Sequence, residues 1–128
     1  MKNQKKITIT TLKKILWELC RKITVKRHGR KCYTCGKVVS SLRHPIQTGH
    51  FITSSTCSVE VRYSLDNLRP QCFHCNINLS GNWVAFEKHL LKDGIDIDAI
   101  KKRNEETKGI VYPLSWYQEK IEEYKKLV

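Results

Sequence analysis

Two Cys-x-x-Cys pairs, Cys32/Cys35 and Cys72/Cys75, constrain this 128-residue chain more than any other feature. A two-residue spacer lets both sulfurs of a pair reach one ion from a tight turn, and two such turns supply the four ligands of a tetrahedral structural zinc site. The competing use of the cysteines is disulfide formation. Residues 1 to 31 are lysine-rich and lack the unbroken apolar stretch of a secretory leader, so a reducing compartment and metal binding are expected. A thioredoxin-type redox motif would need a βαβ pattern, which the sequence does not show. Cys20 falls on the apolar face of a helix and reads as a small core residue. Cys57 sits in a polar loop with no role assigned to it.

A chain of this length makes one domain with a core of modest size, so a metal staple is a plausible contributor to folding. The expected organisation is a single domain over 1–128. It comprises a basic N-terminal helix region over 1–31, a zinc-stapled core over 32–92 and C-terminal helices over 93–128. No stretch has the apolar length of a membrane span, so no membrane partner is expected.

Charge is more informative in its distribution than in its total of +12. Residues 1 to 45 hold 13 of the 24 basic residues and one acid, Glu18, whereas beyond them 11 basic and 11 acidic residues cancel. The cluster Arg21, Lys22, Lys26, Arg27, His28, Arg30 and Lys31 runs into the first cysteine pair. A polyanion is the natural partner, because each neutralised phosphate releases condensed counterions. A solvated surface, RNA or an anionic membrane would satisfy the same charges.

Leu12, Ile15, Leu16, Leu19, Cys20 and Ile23 recur at helical spacing and predict an amphipathic helix over residues 10 to 26, with Trp17 packing at its edge. Cys32 to Val39 reads as a zinc knuckle with a short hairpin, and residues 40 to 47 as a loop. His50-Phe51-Ile52 reads as a short strand. Val59, Val61 and Tyr63 alternate with Glu60 and Arg62 and predict a second strand. A helix from Gly81 or Asn82 to Leu91 would turn Trp83, Phe86, Leu90 and Leu91 to one face. Two more helices are expected, Ile97 to Thr107 and Trp116 to Leu127, the latter with Ser115 and Gln118 at capping-box spacing. Tyr117, Ile121, Tyr124 and Leu127 give it an apolar stripe, for the body of the domain or for a second copy. The fold class is therefore α+β.

Five stretches carry a family resemblance: Leu16-Trp17 on the opening helix, Cys32-x-x-Cys35-Gly36, Gly49-His50-Phe51-Ile52, Asn67-x-x-Pro70-Gln71-Cys72-x-x-Cys75-Asn76, and Leu79-Ser80-Gly81-Asn82. Together they resemble the NinG (Rap) recombination proteins of lambdoid phages, within the wider HNH or His-Me finger nucleases. The resemblance covers residues 12 to 95. It implies a ββα-metal core with a structural zinc, acting on branched DNA such as Holliday junctions or D-loops, in the cytoplasm of the bacterial host.

What the resemblance implies for single residues follows position by position. His50 stands where HNH sites carry the general base, and an imidazole of ordinary pKa, about 6.5, can take a proton from water near neutral pH. Asn67 matches the middle Asn, which buttresses the histidine or fixes the loop. Asn76 matches the residue that opens the helix and binds the catalytic divalent metal, Mg²⁺ or Mn²⁺; an Asn there also resembles the zinc-stapled phage resolvase endonuclease VII. Many HNH sites place an Asp or second His directly before the base, and this chain has Gly49. Asp66 or His74 could contribute a ligand instead, or His50 could itself bind the metal. Arg69 is a candidate phosphate contact.

Two other functions fit the same residues: a zinc-dependent DNA-binding module without catalysis, and a sequence-targeted homing or restriction nuclease. Resolving a junction needs two nicks, so a homodimer through the C-terminal helices is a further expectation.

Overall fold

The computed structural model describes residues 6–128; the first five residues of the basic N-terminal region lie outside the described part. The fold is α+β, a small two-stranded sheet among helices, and it grows from one long helix. Helix α1, Ile9–His28, starts where Thr8 Oγ1 accepts the Thr11 N–H at 3.2 Å and stops at Gly29, whose φ of 74° is costly for other residues. Lys26, Arg27 and His28 crowd its last turn, where the helix dipole favours positive charge. Leu12, Leu16, Cys20 and Ile23 form the buried stripe, whereas Ile15 sits outside it and is 41% exposed.

That stripe packs against helix α5, Leu114–Lys125, through Tyr117, Ile121 and Tyr124. Each large side chain withdrawn from water here contributes about 2 kcal/mol. The α5 stripe is thus covered by the same chain. The Tyr63 carbonyl joins both helices, accepting the Tyr124 hydroxyl at 2.6 Å and the Cys20 thiol at 3.8 Å. Cys20 is the core residue its sequence context suggests, and burial pushes its thiol up to about 12. Helix α5 begins at Pro113 with no side-chain cap, so Ser115 falls inside the helix and the capping box does not form.

The sheet pairs β1, Gln47–His50, antiparallel to β2, Leu68–Gln71, in the register Gln47↔Gln71, Thr48↔Pro70, Gly49↔Arg69 and His50↔Leu68. Pro70 is tolerated because a two-stranded sheet is all edge; its carbonyl instead accepts the Tyr33 N–H at 2.8 Å, hanging the first cysteine turn on β2. The pleat turns Thr48, His50, Leu68 and Pro70 to one face and Gln47, Gly49, Arg69 and Gln71 to the other.

The strand expected over Val59–Tyr63 is instead a single helical turn, α2, Val59–Arg62. Ser58 caps it, its Oγ accepting the Val61 N–H at 3.1 Å, and one turn of alternating residues cannot by pattern alone be told from a strand. After β2 come a π-helical turn, His74–Asn78, and helix α3, Trp83–Lys92. Phe86 and Leu90 face the core with Phe51 and Ile97, while Trp83 and Leu91 are exposed, so the expected four-residue face is narrower. Helix α4, Ile97–Thr107, has the predicted limits and is capped by Asp96 Oδ1, which accepts the Ala99 N–H at 3.0 Å. Among the described residues no helix is long and apolar enough to cross a membrane.

Candidate active site and metal centre

The first cysteine turn is closed by Gly36 N–H to Cys32 O at 2.9 Å and Cys32 N–H to Lys37 O at 2.8 Å, the second by Asn76 N–H to Cys72 O at 3.0 Å. Between them the sulfurs of Cys32, Cys35, Cys72 and Cys75 lie within 4.8 Å of one another, with Cys35 and Cys72 at 3.8 Å. A tetrahedron of Zn–S bonds of about 2.3 Å has edges of about 3.8 Å, so the four thiols fit a closed structural zinc site. Donors already surround them. The Thr34 hydroxyl is 3.4 Å from Cys32 Sγ, the Cys75 N–H points at Cys72 Sγ at 3.4 Å, and Asn82 Nδ2 donates to Cys75 Sγ at 3.7 Å. Burial opposes charge on Cys32, yet the Thr34 hydroxyl and nearby backbone N–H groups win and bring it down to about 6, whereas burial and the neighbouring thiols push Cys35 up to about 12 and raise Cys75, as expected for four sulfurs sharing one site. The hydroxyl, amide and N–H donors favour thiolate ligands.

His50 closes β1 on the face turned to α1. Its ring stacks on Trp17 of α1, with centroids 5.0 Å apart and planes 7° from parallel. Its Nε2 lies 3.1 Å from the Arg62 carbonyl oxygen at the end of α2. Carbonyl oxygens only accept, so Nε2 carries the proton and Nδ1 keeps the lone pair of the neutral ring. Burial pushes the ring down to about 4; the carbonyl contact opposes this in part, and the Arg62 guanidinium adds to it. Trp17, His50, Ser54, Ser55, Arg62 and Tyr63 line one cleft of about 440 Å³. In the sequence Trp17 reads as packing and Arg62 as a strand residue; Leu16-Trp17 within the family resemblance is the one signal that points to this cleft.

Asn67 is fully buried and ties the loop after β1 to the start of β2. Its Oδ1 accepts the Ile52 N–H at 2.7 Å, and its Nδ2 donates to Ile52 O at 3.1 Å and Val61 O at 3.4 Å. It fixes the loop and α2, and so the carbonyl that His50 meets. Helix α4 braces the same turn: Asn104 Oδ1 accepts the Ser58 N–H at 2.7 Å and the Thr107 hydroxyl donates to Ser58 Oγ at 2.7 Å.

Asn76 lies elsewhere. It stands in the π-helical turn and does not open α3, and its Nδ2 donates to Gln47 Oε1 at 2.7 Å, three residues down β1 from His50. Gly49 has a steric reason. A Cβ there would stand 1.8 Å from Gln71 Oε1, so no ligating side chain fits while Gln71 is in place. Gln71 is itself held by Nε2 donating to Gly81 O at 2.8 Å and Thr34 Oγ1 at 3.1 Å. Asp66 and His74 are exposed, and neither lines the His50 cleft. Among the described residues the four cysteines form the only cluster of three or more His, Cys, Asp or Glu placed to hold a metal. The residues near His50 therefore do not build a site for a hard divalent ion, which prefers carboxylates.

The basic residues divide. Arg21, Lys22, Lys26 and Arg30 line a cleft with Thr48 of β1 and with Pro45 and Ile46 before it; Glu18, on the same wall, pairs with Arg21. Arg27 is exposed on the last turn of α1, and Lys31 lines a different cleft with His28 and Lys92. Arg69 corrects the sequence expectation of a phosphate contact. It is 5% exposed, its Nη1 donates to the carbonyls of Leu65, Asp66 and Leu68, and its guanidinium lies 5.4 Å from the Tyr33 ring centre. It braces the turn into β2.

These features define a small α+β protein in which a four-cysteine centre, able to hold structural zinc, stands beside a two-stranded sheet ending in a half-buried histidine. A family model for the bacteriophage lambda NinG protein matches residues 1–128, and the chain belongs to that family. Comparisons with curated proteins and with solved structures gave no match.

Proposed function

We propose that this chain is an endonuclease of the HNH or His-Me finger class that hydrolyses phosphodiester bonds in branched DNA during phage recombination, with His50 as general base. One observation carries the reading: His50 is held by Nε2 on a backbone carbonyl and by its face on Trp17, leaving Nδ1 free to accept a proton from water. The order of two antiparallel strands and a following helix, stapled by cysteine turns, supports the class. The cleft of Arg21, Lys22, Lys26 and Arg30, with Arg27 and Lys31 nearby, supports a DNA partner. A base held near 4 in the free protein is neutral at physiological pH, and an entering phosphate favours the imidazolium, raising its basicity when it is needed.

The residues around His50 include no carboxylate, and Asn76 stands apart on Gln47, so Mg²⁺ or Mn²⁺ would be held by substrate phosphates and water. Nothing in the role given to His50 runs through that ion. Two nicks across a junction would call for two copies of the chain; since α1 covers the apolar stripe of α5, the dimer contact would use other surfaces of the C-terminal helices.

The rival reading is a DNA-binding module without catalysis, favoured by the exclusion of any side chain at position 49. The test is cleavage of a labelled four-way junction beside a linear duplex of the same sequence, by wild type and His50→Ala, with and without added Mg²⁺. Mg²⁺ is omitted and not chelated, since a chelator would also attack the cysteine centre. Cutting of the junction that disappears in the variant supports the nuclease. Equal, tight binding with no cutting by either protein supports the module, and cutting of the duplex at defined sequences a targeted nuclease.

A further inference from the structure

The His50 cleft holds a cation that neither the family match nor the sequence motifs assign. Arg62 contributes to the site twice, its carbonyl to His50 Nε2 and its guanidinium to the cleft wall. Among the described residues that guanidinium has no carboxylate partner and one hydrogen bond, from Nη2 to Ser54 O at 2.9 Å; its Nε–H is buried with no partner. Arg21 pairs with Glu18 and Arg103 with Glu60, Arg27, Arg30 and Arg43 are exposed to water, and Arg69, whose Nε is also buried without a partner, has its Nη1 among three carbonyls and faces no cleft at His50. No acidic residue lines the cleft. A half-buried guanidinium without a counter-charge, beside an imidazole that must become positive, is a costly arrangement that a bound anion would relieve on both counts.

We propose, building on the nuclease reading, that Arg62 is a catalytic residue whose guanidinium binds the non-bridging oxygens of the scissile phosphodiester. Its donors match a phosphate, and because one residue supplies both the carbonyl and the guanidinium, the orientation of His50 and the position of the phosphate are set together. Ser58, gripped by Asn104 and Thr107, keeps the α2 turn from shifting under that load. In the reaction the water oxygen bonds to phosphorus, the water proton passes to Nδ1 of His50, and the P–O3′ bond breaks. The leaving oxygen takes a proton from solvent, giving a 5′-phosphate and a 3′-hydroxyl.

The test uses the zinc-loaded full chain and a branched DNA whose cut site has been mapped with wild type. Binding without Mg²⁺ is measured to that DNA and to the same DNA with an uncharged methylphosphonate at the scissile linkage. Wild type should lose about 10- to 100-fold in affinity on the methylphosphonate. Arg62→Gln should lose a similar factor on ordinary DNA and no further factor on the methylphosphonate, while Arg62→Lys, which keeps the charge, should retain part of the discrimination. Zinc content and unfolding midpoint of each variant show whether bracing of Ser54 is all that was lost. Independent, multiplying effects of the two changes, or wild-type binding by Arg62→Gln, overturn the assignment while leaving a cutting His50 enzyme intact. If wild type cuts no DNA, the nuclease reading fails and this assignment fails with it.

Discussion

Gln71 fills the space that a side chain at Gly49 would need: its Oε1, Cδ and Cγ lie 1.8, 2.6 and 2.9 Å from the position of a Cβ there. The two residues lie diagonally on one face of the sheet, and Gln71 cannot retreat without leaving Thr34 and the Gly81 carbonyl. A glycine before the histidine is thus a packing requirement of this chain.

Gly49→Ala should destabilise the zinc-loaded protein by about 1–3 kcal/mol, the usual cost of overpacking. Denaturant unfolding measures it. Gly49→Ala in a Gln71→Ala background should cost less than in wild type, because the clash is gone. Equal costs in both backgrounds would show that Gln71 is not the obstacle.

Asn67 and Asn76, the two asparagines that the family resemblance singles out, should separate by stability. Asn67→Ala orphans the half-buried Ile52 N–H and removes the donor to the Ile52 and Val61 carbonyls, and should cost about 2–4 kcal/mol, summed over its lost hydrogen bonds. Asn76→Ala loses one contact, with Gln47, and should cost about 1 kcal/mol. Loss of cleavage in Asn76→Ala with stability kept would give Asn76 a role in chemistry.

The depressed pKa of His50 has a signed consequence. With a folded value of about 4, below the ordinary 6.5, the unfolded chain takes up the proton first as pH falls. The contribution of neutral His50 is therefore full above pH 6.5 and disappears as pH falls toward 4, on the order of 3 kcal/mol in all. His50→Gln should flatten that part of the stability profile relative to wild type. Parallel profiles for the two proteins between pH 7 and 4.5 would mean that the ring is not held neutral by the fold.

Removing the metal should act on both cysteine turns at once. The purified protein should carry one zinc per chain, as measured by elemental mass spectrometry, and Cys72→Ser should lower the metal affinity. Because metal binding is coupled to folding in such sites, a strong chelator should lower the unfolding midpoint and make the transition less cooperative. A chain that purifies without metal and does not respond to zinc would contradict the four-thiolate assignment.

DNA affinity should fall with salt, and the slope should lose about one unit of log affinity per log salt for each phosphate contact removed. Lys22→Ala and Arg30→Ala, both lining the α1 cleft, should each reduce it, whereas a change at Arg69 should act through stability.

Much of this protein is legible in one dimension. The cysteine spacing announces a four-ligand centre, because two tight turns are local structures that two residues can specify. Helix α1 follows from the recurrence of apolar side chains every three to four residues over several turns, which fixes a face without reference to the rest of the chain. The charge imbalance of the first 45 residues is likewise a count, and it survives as an exposed basic surface on α1.

What the tertiary structure decided is where short segments and single side chains end up. Val59–Arg62 has the alternation of a strand and becomes a helical turn, because Ser58 caps it and Asn104 and Thr107 of α4 hold Ser58. Arg69, in a motif that suggests phosphate, is buried with its guanidinium on the carbonyls of Leu65 and Leu68. His50 could be recognised from its neighbours in sequence, but its protonated nitrogen, its stacking on Trp17 and its place beside the Arg62 guanidinium come from three segments meeting. Local pattern dictates conformation where one face must be buried over many residues; the chemistry of a side chain depends on desolvation and on partners that only the folded chain brings within a few ångströms.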